Sequence, residues 1–156
     1  MSSDGSSTSS ILFQSVKRSI PLDKPRLRAF VARLTFEVSA GQPFTVLIAN
    51  DQELQRLNLA FLQHDYPPDV LSFPGESELG EMAISADRAL EQAVRLGHDV
   101  STEVEVLILH GLLHLLGHDH EGDRGAMRRL ETKCRKNLGL PAGLIERAKS
   151  ERTKQK

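Results

Sequence analysis

The residue pattern predicts an α+β fold, a small mixed sheet of about four strands packed with about five helices, with a central buried helix that carries the metal-binding histidines. Three observations predict it. Period-two alternation is confined to the first half of the chain, where it is interleaved with helical spacing. Helical patterns dominate the second half. One of them, Val104 to Leu116, is apolar almost all round, which places it inside the molecule rather than on its surface.

In chain order, Met1 to Ser10 is Ser-rich and reads as a disordered tail, and Ile11 to Val16 opens with a strand. Leu22 to Val38 carries Leu27, Phe30, Val31, Leu34 and Phe36 at largely helical spacing. Pro43 to Ala49 alternates Phe44, Val46 and Ile48 as a strand does, and Asp51 is placed to cap a helix reaching Leu62 with Leu54, Leu57 and Phe61 on one stripe. Between Pro67 and Pro74 lies a short strand, Val70 to Phe73; Leu79 to Ser85 is the next. Ser85 starts a helix to Leu96, ended by Gly97, with Ala86, Leu90, Ala93 and Val94 inward. Ser101 is read as the cap of the histidine helix, and Glu103 in its first turn suits the helix dipole. The last helix runs from about Asp123 to Leu138, before Gly139 and Pro141, and Lys149 to Lys156 is a basic tail. Residues 11–148 are thus expected to form one domain.

Charge is nearly balanced overall and uneven along the chain. Residues 1–36 carry a net +4, residues 37–121 a net −12 and residues 122–156 a net +7. An acidic middle between two basic segments is compatible with a polyanion gripped at its backbone, although charge alone favours solvated helix faces. The single cysteine, Cys134, excludes an intramolecular disulfide and suits a reducing compartment. The first ten residues have no apolar core of a signal peptide, and the run Val106 to Leu116 is far shorter than the roughly 20 residues that span a bilayer, so a cytoplasmic protein is expected.

Chemistry concentrates in His110-Gly111-Leu112-Leu113-His114-Leu115-Leu116-Gly117-His118-Asp119-His120, which holds four of the six histidines. Residues four apart share a helix face, so His110 and His114 can both reach one metal ion. Gly117 can end the helix in the left-handed conformation and return the chain so that His120 supplies a third nitrogen, with His118 as its nearest competitor. Three protein ligands leave a coordination position open, as in catalytic rather than structural zinc sites. Zinc is expected, one ion per chain; nickel and copper also suit three nitrogens. Zinc peptidases of the His-Glu-x-x-His type place their general base after the first histidine, and here that residue is Gly111, which argues against peptide hydrolysis. Asp119 and Glu121 are candidates to orient a histidine or accept a proton, and Ser72 to contact phosphate.

The histidine segment, together with Asp69-Val70-Leu71-Ser72-Phe73-Pro74 and Leu79-Gly80-Glu81-x-x-Ile84-Ser85, resembles the YbeY family of bacterial metal-dependent endoribonucleases over about Pro43 to Leu140. The resemblance implies a zinc-dependent endonuclease specific for single-stranded RNA, acting in maturation of the 3′ end of 16S ribosomal RNA and in late quality control of ribosomal particles, with neither DNA nor membrane as partner. It implies zinc on His110, His114 and His120. One segment departs from the family pattern. Where the family has Tyr-Arg-x-Lys-Asp, this chain has Phe61-Leu62-Gln63-His64-Asp65, and Leu62 can neither neutralise a phosphate nor offer paired hydrogen bonds. Arg56, His64 or a basic residue of the last helix are candidates to replace it. The departure favours the alternative expectation, a non-catalytic ribosome-assembly or RNA-binding factor whose metal only holds the loop after Gly117.

Overall fold

The computed structural model describes residues 8–66, 68–118 and 125–141. Its elements are β1 (Ser10–Phe13), α1 (Lys24–Glu37), β2 (Phe44–Ala49), α2 (Asp51–Leu62), β3 (Val70–Pro74), β4 (Gly80–Ser85), α3 (Ala86–Leu96), α4 (Val100–Leu115) and α5 (Ala126–Leu138). The strands form one mixed sheet in the order β1-β2-β4-β3, with β1, β2 and β4 parallel and β3 antiparallel to β4 at the edge. The fold is α+β, as the pattern predicts.

Strand alternation sorts side chains to two faces. Phe44, Val46 and Ile48 of β2 and Met82 and Ile84 of β4 enter the main core with residues of α1, α3, α4 and α5. Leu47, Ala49 and Ala83 point to the opposite face, where Leu54 and Leu57 of α2 and Leu71 and Phe73 of β3 meet them in a second, smaller core. Helix α4 is the centre of the main core: Val104, Leu107, Ile108, Leu112 and Leu113 are fully enclosed. An apolar helix surface on every side is what lets the sheet, α1, α3 and α5 all pack on it.

Several local expectations are corrected. Asn50 rather than Asp51 caps α2, its side chain accepting from the Glu53 N–H, while Asp51 takes the Ser85 hydroxyl. Asp99 rather than Ser101 caps α4; Ser101, the second residue of the helix, accepts the backbone N–H of Asp23. Val94 and Phe36 point to solvent, because the narrow faces of α3 and α1 are filled by Ala86, Ala89 and Ala93 and by Leu27, Phe30, Val31 and Leu34. Ser9 and Ser10, read as tail, belong to the fold: Ser9 bridges the Thr35 hydroxyl and the Phe44 N–H, and Ser10 opens β1. Asp123, read as the start of the last helix, and Lys149 to Lys156 lie outside the described residues.

Candidate metal centre

The histidines owe their position to how α4 is fixed at both ends. At its start, Asp99 accepts the Thr102 N–H at 2.6 Å and an Arg26 N–H at 3.2 Å. The Thr102 N–H, then its hydroxyl and the nearby Arg26 guanidinium, hold the Asp99 carboxyl below its ordinary value. Arg26 also donates twice to the buried Glu105 carboxylate, at 2.8 and 3.3 Å, which ties α1 to α4 and pushes the Arg26 pKa upward.

At its end, Gly117 has φ +94°, its N–H reaches the His114 carbonyl, and the His118 N–H reaches the Leu113 carbonyl. That pair of bonds is a Schellman stop, so the left-handed glycine inferred from sequence is present. Midway along the helix, Gly111 faces the sheet. A Cβ there would stand 2.9 Å from the Met82 sulfur and 3.3 Å from Val70. The close approach of α4 to β3 and β4 means that any side chain at this position would have to displace Met82.

One turn apart, His110 and His114 bring their Nε2 atoms to 3.1 Å, with ring planes 72° apart. Two nitrogens held by one zinc at roughly 2.0–2.1 Å in a tetrahedral arrangement stand roughly 3.3–3.4 Å apart, so this pair needs only a few tenths of an ångström to fit. His110 is buried, and its Nδ1 lies 2.8 Å from Oε2 of Glu131 on α5. A carboxylate accepts, so Nδ1 carries the proton and Nε2 keeps its lone pair on the side of His114. Imidazole ligands are commonly backed by a carboxylate in this way, and the donor set fits a metal on this observation.

Glu131 is the residue beside the histidine pair that sequence reasoning missed. It is buried on the face of α5 that also carries Met127, Leu130, Cys134 and Leu138. An acidic residue on an otherwise apolar stripe was the available signal. The candidates proposed instead, Asp119 and Glu121, lie outside the described residues, as does the third predicted ligand, His120. Among the described residues no group of three or more His, Cys, Asp or Glu side chains stands ready to hold a metal, so the described part of the site is the His110–His114 pair.

The pair opens onto a cleft of about 380 Å³ lined by Leu62, Val70, Leu71, Ser72, Pro74, His110 and His114. Ser72 is at the cleft as expected, but its hydroxyl donates to the Gly111 carbonyl at 3.3 Å, a structural bond between β3 and α4. Leu62 lines the cleft from the end of α2. Of the suggested replacements for the missing arginine, Arg56 is held by Glu53 through two hydrogen bonds of 2.8 and 2.7 Å, and the His64 ring lies 5.8 Å from that of Tyr66, tilted by 45°. The Arg56 bonds keep the Glu53 carboxyl below its ordinary value. Neither residue lines the cleft.

Comparison with known proteins identifies the family. The family described as Endoribonuclease YbeY matches residues 17–139. The Endoribonuclease YbeY of Solibacter usitatus is 54% identical over 130 residues, covering 83% of this chain and 88% of that protein. That of Koribacter versatilis is 43% identical, covering 84% and 88%. A solution structure from Thermotoga maritima shares the fold, with a TM-score of 0.57 over 80% of this chain and 85% of that one at 23% identity. With the match spanning both the histidine helix and the sheet that walls its cleft, the chain belongs to the Endoribonuclease YbeY family.

Proposed function

We propose that this chain is a zinc-dependent endoribonuclease that hydrolyses single-stranded RNA in the cytoplasm, acting in ribosomal RNA processing at the 3′ end of 16S rRNA and on ribosomal particles. The observation that carries the reading is the approach of His110 and His114 Nε2 to 3.1 Å at the floor of an open cleft, with His110 oriented by Glu131. The family match supports the nuclease activity.

His110, His114 and His120 would hold the ion. When bound, it supplies concentrated positive charge that polarises a phosphodiester and offsets negative charge developing on it. The chain's own residues set the stage for that. Glu131 keeps the proton of His110 on Nδ1 and so keeps Nε2 available as a ligand. Gly117 ends the helix at φ +94°, and His120, three residues on, is the proposed third ligand. Leu62 and Val70 form an apolar wall that limits water on one side of the cleft. Asp119 and Glu121 are proposed to assist proton transfer; Ser72, with its hydroxyl committed to Gly111, is proposed as a positioning residue.

The test is His114→Ala. Stoichiometric zinc and cleavage of single-stranded RNA should both be lost, measured by elemental analysis and by a cleavage assay with and without chelator. Full cleavage by the metal-free variant would sink the proposal. The second reading, a non-catalytic RNA-binding factor, draws support from Leu62 at the cleft wall, and chelator-sensitive cleavage by the purified wild-type chain would end it.

A further inference from the structure

The cleft runs along an unpaired strand edge. β3 closes one side of the sheet, and five of the cleft's seven lining residues other than the histidines are Leu62 and four residues of β3. The Ser85 N–H donates to the Asp69 carbonyl and the Gly75 N–H to the Leu79 carbonyl, which flank the ladder. In an antiparallel pair the hydrogen-bonded residues alternate, so 69, 71, 73 and 75 face β4. The backbone N–H and C=O groups of Val70 and Ser72, and the carbonyl of Pro74, therefore point outward. Pro74 fits this parity, because a residue without an N–H is tolerated only on the outward side of an edge strand. No described element pairs with that edge.

Resting on the reading of this chain as an RNA nuclease, we infer that the outward edge of β3, Ser72 above all, reads the Watson–Crick edge of an RNA base beside the cleavage point. Ser72 presents a donor and an acceptor side by side. Each RNA base carries a neighbouring donor and acceptor on its Watson–Crick edge, so a strand edge can hold any unpaired base and no paired one. Leu62 and Val70 offer apolar surface to the base plane, and among the described residues no lysine or arginine lines the cleft to hold the backbone instead. Selection for single strands then follows from main-chain bonding.

The experiment compares three short RNAs on the wild-type chain: oligouridine, the same oligomer in N3-methyluridine, whose Watson–Crick edge is blocked, and in 5-methyluridine, whose edge is intact. Binding is measured with chelator present, and cleavage with zinc. The N3-methyl oligomer should bind about five- to tenfold more weakly than the other two, the size of a lost hydrogen bond or two. Ser72→Pro removes the outward N–H, the partner of a uracil carbonyl oxygen, and should narrow that difference by weakening binding of the two RNAs whose edge is intact. Ser72→Ala removes the hydroxyl alone and should keep it. Equal binding of all three RNAs by the wild-type chain, or a Ser72→Pro protein that binds the two edge-intact RNAs as tightly as the wild type, overturns the inference and leaves the nuclease reading intact. A wild-type chain that neither binds nor cuts oligouridine overturns both. The arms on the wild-type chain decide the matter even if Ser72→Pro fails to fold.

Discussion

Leu62 shows how much one side chain can set at this site. It stands at the cleft wall at the end of α2, half-exposed, where the family pattern puts an arginine. Arginine would add a fixed charge and a two-pronged donor for a phosphate oxygen. Leu62→Arg is therefore expected to strengthen RNA binding and to steepen its salt dependence by about 0.7 in log K per log salt, the effect of one additional contact to single-stranded phosphate. Titrations at several salt concentrations measure the slope; an unchanged slope would show that position 62 does not face phosphate. Cys134 is the residue with least to do. Burial pushes its thiol up, which keeps it protonated and unreactive.

Among the elements, α4 depends most on its first turn. The Asp99 carboxylate satisfies the Thr102 N–H, and its pKa is depressed in the folded chain. A depressed carboxylate adds stability that is fully present above its unfolded pKa and is lost as pH falls through the folded value. Stability should thus decline on acidification below about pH 4, and Asp99→Asn should flatten part of that decline while still capping the helix. Denaturant titrations from neutral to acid pH check this; an unchanged acid limb would remove Asp99 from the account. The same helix shows what was legible in the sequence and what was not. Its apolar character, its histidine spacing and its glycine stop are local properties and could be read directly. Its cap could not, because Asp99 and Ser101 are both good capping residues and the choice was made by Asp23, whose N–H recruits the Ser101 hydroxyl from 78 residues away. Val94 was misjudged for a related reason: helical spacing places it near the apolar stripe, and only the packing of α3 on α4 shows that alanines fill that seam.

At the scale of the whole molecule, the site is assembled from segments that share no sequence signal: histidines on α4, a wall from β3 and α2, and a carboxylate from α5. Glu131 was illegible as a partner of His110 because the two meet only when α5 packs on α4. Glu131→Gln keeps the shape and can still meet the ring but lacks the charge that fixes the imidazole's proton. It should weaken zinc binding by about 10- to 100-fold with little change in the fold. Competition with a chelating dye measures the affinity, and wild-type affinity in the variant would reduce Glu131 to packing. A metal that prefers the folded state stabilises it, so removing it should also lower the melting temperature of the wild-type chain more than that of the variant.

The contribution of α5 also bears on synthesis. A chain still growing on the ribosome presents both imidazoles of α4 before the carboxylate that orients His110 has been translated. The imidazole pair therefore takes its final hydrogen bonding only once α5 has been made and has packed against α4.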